Sequence, residues 1–256
     1  MKHCFRTVIL GLAGALAASA ASATEPGAIP AVSGTVIFSG SDYKESSSYS
    51  YIGGAHAFNG NLGTDGFLIR LFGGLGNYDY DNGAVPGGNV DTDLSQFDVT
   101  LGYQVYGSGL RFTAYAGASY EDHDRSPEDP ANVVQGDEWG FKGILEVETL
   151  ANSPIYFGAL GHYSTGFDEY WARGRVGANL GNGIAVGPEI IGLGNEGFDQ
   201  VRYGAFVSGL PSFMSLIFGG DGKMSASVGW ADSKNDGNGQ GGDDSVYGTF
   251  GSSFTF

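Results

Sequence analysis

The chain is nearly without cysteine, is poor in basic residues and, beyond its first two dozen positions, has no long apolar run. Cys4 is the one cysteine in 256 residues. It lies where a secretory leader would be cut away, so a mature form would have no disulfide to hold it. A chain of this length must then rely on a large core or on a closed barrel. Lys and Arg number 12 against 28 Asp and Glu, for a formal charge of −16. Removing Lys2 and Arg6 with the leader takes −16 to −18. Nucleic acid is therefore not an expected partner, because phosphate contact needs clustered Lys and Arg. After the leader no stretch reaches the roughly 18 apolar residues that mark a membrane helix. What is present is Gly, at 46, with Tyr at 14 and Phe at 17, in a chain only 16 % charged. Its mean hydropathy is −0.08. Positions that face lipid and a polar interior in turn produce this mixture.

The start of the chain has the form of a secretory signal. Lys2, His3 and Arg6 supply a positive beginning, Val8 to Ala18 an apolar run, and Ala21-Ser22-Ala23 a small-residue cleavage site. Residues 1–23 are thus expected to be removed, 24–32 to form a short tail, and 33–256 to form one barrel domain.

Alternation with period two is the dominant signal, and it means strands with one apolar and one polar face. Phe97, Val99, Leu101, Tyr103 and Val105 fall on one face, and Gln96, Asp98, Thr100, Gly102 and Gln104 on the other. Leu110, Phe112, Ala114, Ala116, Ala118 and Tyr120 likewise oppose Arg111, Thr113, Tyr115, Gly117, Ser119 and Glu121. About twelve such segments begin near Thr35, Tyr49, Phe67, Leu94, Leu110, Glu138, Ile155, Tyr170, Ile184, Asp199, Lys223 and Val246. A count of ten or fourteen stays open, since the first, second and eleventh are the weakest and Pro211 to Asp221 reads as a long turn. Each segment is long enough to cross a bilayer as a tilted strand of roughly 9–11 residues. Tyr106-Gly107-Ser108-Gly109, Ala151-Asn152-Ser153 and Gly181-Asn182-Gly183 read as tight hairpin turns. Between them lie longer polar loops over Asp79–Asp93, Asp122–Asp137 and Asp232–Asp244. The last segment puts Val246, Gly248, Phe250, Ser252, Phe254 and Phe256 on one face and ends on an aromatic. The expected fold is an all-β, antiparallel up-and-down transmembrane barrel with short periplasmic turns and longer extracellular loops. The expected location is the outer membrane of a Gram-negative bacterium, with its lipid and lipopolysaccharide as neighbours.

Basic residues beyond the leader are few, and their placement is informative. By parity Arg70, Arg111, Lys142, Arg173, Arg175 and Arg202 point into the barrel, where Glu138, Glu146, Glu148 and Glu189 can pair with them. On the lipid face at mid-depth each would cost roughly 2–4 kcal/mol. Two readings of this interior stand side by side. One is a salt-bridged filling of a narrow barrel, which small barrels favour. The other is a charged lining that selects a solute. Inward Tyr115, Trp171 and Tyr247 are candidates for sugar contact, or for simple volume filling. His162 and Ser164 share a face and could suggest an ester hydrolase with Asp168 or Glu169, but residues two apart on a strand sit about 7 Å apart. Asp232 to Asp243 partly matches a calcium loop, which Lys234 spoils at a ligand position. Gly192-Leu-Gly194-Asn-Glu-Gly197 matches a dinucleotide fingerprint, but no helix pattern follows it. No metal or cofactor is expected.

Several stretches resemble the cellulose biosynthesis protein BcsS family. They are Gly66-Phe-Leu-Ile-Arg70-Leu with Gly76-Asn-Tyr78, and Tyr120-Glu-Asp-His123-Asp with Ser126-Pro127-Glu-Asp129-Pro130. Tyr163-Ser164-Thr165 leads on to Tyr170-Trp171-Ala-Arg173, then to Gly187-Pro188-Glu189, and Gly194-Asn195-Glu196 to Arg202-Tyr-Gly204. Their order covers the chain from about Thr35 to its last residue. The resemblance implies an outer-membrane barrel with a part in cellulose or related exopolysaccharide production, beside cellulose and its synthase and export machinery. It brings no catalytic set. The leading expectation is a non-enzymatic barrel that assists export or anchoring of the glucan. The alternatives are an ester hydrolase using His162 and Ser164, and a purely structural or adhesive barrel.

Overall fold

A computed structural model describes residues 33–256 apart from 152, 213–214, 216–220 and 235–243. The leader expected over 1–23, the tail over 24–32 and most of the Asp-rich stretch before Asp244 lie outside the described residues. The strands are β1 (Thr35–Lys44), β2 (Ser47–Ala57), β3 (Gly66–Asp81), β4 (Asn89–Gly107), β5 (Leu110–Ser126) and β6 (Gly136–Thr149). They continue as β7 (Ile155–Ser164), β8 (Tyr170–Gly181), β9 (Ile184–Asn195), β10 (Phe198–Pro211), β11 (Asp221–Lys234) and β12 (Ser245–Thr255). Each pairs antiparallel with its sequence neighbours, and β1 closes the barrel on β12 from Val36↔Thr255 to Lys44↔Tyr247. Closure leaves no free sheet edge.

Parity decides which way each side chain points. On β4 Phe97, Val99, Leu101, Tyr103 and Val105 are exposed on the outer wall, while Asp98, Thr100 and Gln104 are buried inside. The outer wall is an apolar belt edged with rings. Phe67 and Tyr103 meet edge-on at 4.8 Å towards one end, and Tyr120 and Trp139 meet at 5.1 Å towards the other. Inside, glycines admit large rings. A Cβ on Gly102 would lie 2.3 Å from the ring of Tyr115, its direct cross-strand partner.

One end of the barrel carries both ends of the described chain. There Ser108 and Gly109 have φ of 53° and 78°, and Asn182 and Gly183 have 54° and 78°. Positive φ at both central residues is what a two-residue hairpin turn of matching twist requires. We call this the terminal end and the other the loop end. The expected division into short turns at the one and long loops at the other is not kept: two-residue turns follow β4 and β8 at the terminal end and β1 and β9 at the loop end, while residues 58–65 form a longer connection at the terminal end. Two of the expected long loops prove shorter. Asp81↔Asn89 still pair, so the β3–β4 connection is only residues 82–88, and β5 runs on through Ser126 to leave a connection over residues 127–135. The strands outrun the apolar belt because the hydrogen-bonded ladder continues through polar residues after alternation of hydropathy has stopped.

Candidate functional site

The twelve strands enclose an interior that differs sharply between its ends. Towards the terminal end it is packed. Val36, Phe38, Tyr51, Leu68, Tyr115, Ile144 and Leu160 form one buried cluster. Leu62, from the connection between β2 and β3, joins the same cluster. Its carbonyl accepts from Gln104 Nε2 at 3.0 Å and from Tyr106 Oη at 2.5 Å, and its amide donates to Ser33 O at 2.7 Å. That connection is thus folded under the barrel as a cap. Beside the cluster Arg111 pairs with Glu148 at 3.0 Å and Glu146 at 3.9 Å, and Tyr156 donates to Glu148 at 3.2 Å. The cavity among Arg111, Glu146, Tyr156 and Arg175 is about 10 Å³, room for roughly one water.

Towards the loop end lies a vestibule of about 290 Å³. Its floor and walls carry four of the six cations that parity points inward, Arg70, Lys142, Arg173 and Arg202. Lys142, only 2 % exposed, sits 3.2 Å from Asp98 and 3.3 Å from Glu169. Arg70 lies 4.0 Å from Asp98, its guanidinium held over Phe38 at 5.3 Å and Phe72 at 5.0 Å. Gln96 Nε2 reaches both Glu121 (3.5 Å) and Glu169 (3.4 Å), and its carbonyl accepts from Tyr49 Oη at 2.7 Å. His123 bonds Glu121 through Nε2 at 2.7 Å and Tyr78 Oη through Nδ1 at 3.0 Å. Two connections partly roof the mouth. Phe167 turns in against His123 with ring centroids 5.0 Å apart. In the β5–β6 connection the Asp129 carboxylate accepts from Tyr80 Oη at 2.9 Å, Asn82 Nδ2 at 2.8 Å and the Ala131 amide at 3.2 Å. Burial alone would raise the Asp129 carboxyl, but these bonds and the Arg125 guanidinium outweigh it and hold the group below the ordinary carboxylate range.

The remaining inward cations divide between wall and filling. Arg202 Nη1 grips Asp42 at 2.6 and 2.8 Å and its Nε meets Gln200 Oε1 at 2.5 Å. Arg175 Nε lies 2.5 Å from Glu189. Arg173 stands over Trp171 at 5.6 Å. Of the three aromatics proposed for sugar contact, Trp171 lines the vestibule. Tyr115 is instead packed in the terminal-half cluster. Tyr247, 0 % exposed, donates from its hydroxyl to Glu189 at 3.0 Å. Both have the volume-filling role, because each ring occupies the space left by a glycine, Gly102 for Tyr115 and Gly204 for Tyr247.

His162 and Ser164 face inward but serve different neighbours. Ser164 Oγ lies 2.7 Å from Ser119 Oγ and accepts from the Gly166 amide at 3.2 Å. His162 Nδ1 faces the Glu169 carboxylate at 3.7 Å, and its ring stacks on Trp171 at 6.0 Å with 13° between planes. A nucleophile needs its base within hydrogen-bond reach, and this hydroxyl and this imidazole are not so paired. Among the described residues, Arg70 Nη1 and His162 Nδ1 have no hydrogen-bond partner. An unsatisfied buried donor costs roughly 1–3 kcal/mol, so these atoms are the natural points for a ligand to engage. Among the described residues no cluster of His, Cys, Asp and Glu has the makings of a metal centre. Asp42, Asp98, Glu121 and His123 are site residues that sequence reasoning did not assign to a site, and Glu169, considered there only as a partner of His162 and Ser164, also meets Lys142. Parity alone puts Asp98, Glu121 and His123 on the inner face.

Residues 36–256 match the family model described as cellulose biosynthesis protein BcsS. Similar solved structures include the KdgM porin, at 7 % identity and a TM-score of 0.41, over 87 % of this chain and 99 % of that one. KdgM in complex with disordered oligogalacturonate is similar at 9 % identity, with the same TM-score of 0.41 and the same coverage of 87 % and 99 %. The outer membrane protein OprG from Pseudomonas aeruginosa is similar at 14 % identity and a TM-score of 0.36, over 91 % of this chain and 99 % of that one. No curated protein matches the chain.

Proposed function

The chain belongs to the cellulose biosynthesis protein BcsS family, and from that membership we propose that it is a non-enzymatic outer-membrane accessory that anchors the glucan instead of conducting it. The exposed apolar belt with its aromatic edges supports a seat in the bilayer, because such a face is stable against hydrocarbon and unfavourable in water. Strands of 10 to 19 residues reach or exceed the roughly 9–11 needed to span it. The loop end then faces outward and the terminal end faces the periplasm, with lipid and lipopolysaccharide around the wall.

The observation that carries the anchoring reading is the blind interior. Among the described residues a cavity of about 290 Å³ opens at the loop end, while the space beside Arg111 and Tyr156 nearer the terminal end is about 10 Å³. A polymer threading the barrel would have to displace the buried Phe38, Tyr51, Tyr115 and Leu62. The vestibule offers what a polyhydroxylated chain needs, namely an aromatic surface at Trp171 with hydrogen-bonding donors and acceptors around it. The test is made in cells that produce cellulose. A tag inserted in the 82–88 connection should be labelled on intact cells, and loss of the chain should release cellulose from the surface without lowering the amount made. A tag reached only after the outer membrane is broken contradicts the orientation. Loss of synthesis in place of retention contradicts the anchoring role.

A further inference from the structure

A cavity open at one end admits the end of a chain or a small molecule, and excludes the middle of a polymer. That geometry narrows what the vestibule can hold, and the groups at its floor narrow it again. Arg70 is 8 % exposed, lines the vestibule and has at Nη1 a donor that bonds to none of the described residues. Its guanidinium is fixed between Phe38 and Phe72, so the donor is held ready and is not free to swing to another acceptor. His162 Nδ1 is likewise without a hydrogen-bond partner, and its ring is fixed parallel to Trp171. Polar hydrogen-bonding atoms beside a flat apolar surface fit a sugar ring, which presents hydroxyls at its edge and C–H groups on its face.

The signs of charge are mixed throughout the vestibule, with Arg70 and Lys142 beside Asp98 and Glu169 near the floor and Lys44 and Arg125 lining it towards the loop end. An occupant is thus selected by hydrogen bonds and shape more than by its net charge.

We propose that the vestibule floor is a subsite for the terminal residues of a linear glucan, with Arg70 Nη1 and His162 Nδ1 bonding the last ring and Trp171 supplying its apolar contact. This rests on the anchoring function above and makes it attachment by the chain end. The wild-type barrel, folded in lipid vesicles, is titrated by tryptophan fluorescence with three probes at equal sugar concentration. They are a linear cello-oligosaccharide, a ring-closed glucan without ends, and a linear oligogalacturonate. The linear cello-oligosaccharide should bind at least about tenfold more tightly than the ring-closed glucan. Equal binding of the ring-closed glucan overturns end recognition and leaves anchoring intact. Tighter binding of the oligogalacturonate than of the cello-oligosaccharide overturns a glucan as the occupant. Absence of binding by both neutral probes overturns the anchoring function itself. Arg70→Gln and His162→Leu should each lower affinity for the linear probe by about tenfold, read only in protein whose folded barrel is verified by its heat-dependent gel mobility. Unchanged affinity in both folded variants removes the assigned floor.

Discussion

The terminal half and the loop half are built from the same strands by the same alternation, yet one is solid and the other hollow. In the terminal half the inward positions are large and meet across the lumen, and a connection adds Leu62 from below. Ion-pair length does not separate the halves: Arg111 lies 3.0 Å from Glu148 and 3.9 Å from Glu146 in the one, and Arg202 lies 2.6 Å from Asp42 and Lys142 3.2 and 3.3 Å from its carboxylates in the other. Polar content inside a barrel is therefore a poor guide to whether it is open. What decides is whether the side chains on opposite walls are long enough to meet. Filling and lining, which stood as rival readings of the inward charges, both apply, one to each half.

That comparison can be broken from either side, and the largest effect should come from the filled half. Phe38→Ala removes a buried ring from the packed cluster, and unfolding by urea in lipid vesicles should show a loss of about 3–5 kcal/mol. A loss below about 1 kcal/mol would mean that the terminal half is not a true core. Next, Leu101→Arg puts a charge on the outer belt and should cost about 2–4 kcal/mol in the same measurement. A cost-free arginine there would mean that the belt does not face hydrocarbon. Leu94→Ala, on the vestibule wall, should cost less than about 1 kcal/mol, because the side chain is only half-buried against open space. A cost equal to that of Phe38→Ala would erase the distinction between the halves.

The smallest effect is expected at the mouth and depends on pH. The folded Asp129 carboxyl is held below its unfolded value, which is near about 3.9. Its contribution is therefore complete above that unfolded value and is lost as pH falls through the lowered folded one. Amide protection of residues 127–135 should be flat from about pH 7 to about pH 4 and should fall only in stronger acid. A fall that begins near about pH 6 would assign the closure of the mouth to another group.

Much of this architecture was legible in the chain. The twelve strands, the inward direction of Arg70, Arg111, Lys142, Arg173, Arg175 and Arg202, and the tight turns at Ser108-Gly109 and Asn182-Gly183 follow from period-two alternation and turn chemistry. What was not legible depends on contact across the lumen. Arg202 bonds Asp42, 160 positions away, and Glu169 reaches Lys142 from the connection before β8. Parity states that a side chain points inward, but it does not state which one it meets there. Leu62 escaped notice for a related reason. It sits in a short connection with no periodicity, and only the closed barrel gives it a lumen to enter. The strand extensions through the Asp-rich segments were read as loops because alternation of hydropathy reports the surroundings of a strand, and those residues stand above the apolar belt.

The blind interior is tested most directly by single-channel recording of the folded barrel in a planar bilayer. The packed terminal half predicts insertion without conductance steps in the wild-type protein, and discrete steps only after the filling is reduced by combining Phe38→Ala with Tyr115→Ala and Leu62→Gly. Steady conductance steps in the unaltered barrel would contradict it, and the proposal that this protein holds a glucan instead of passing one would fall with it.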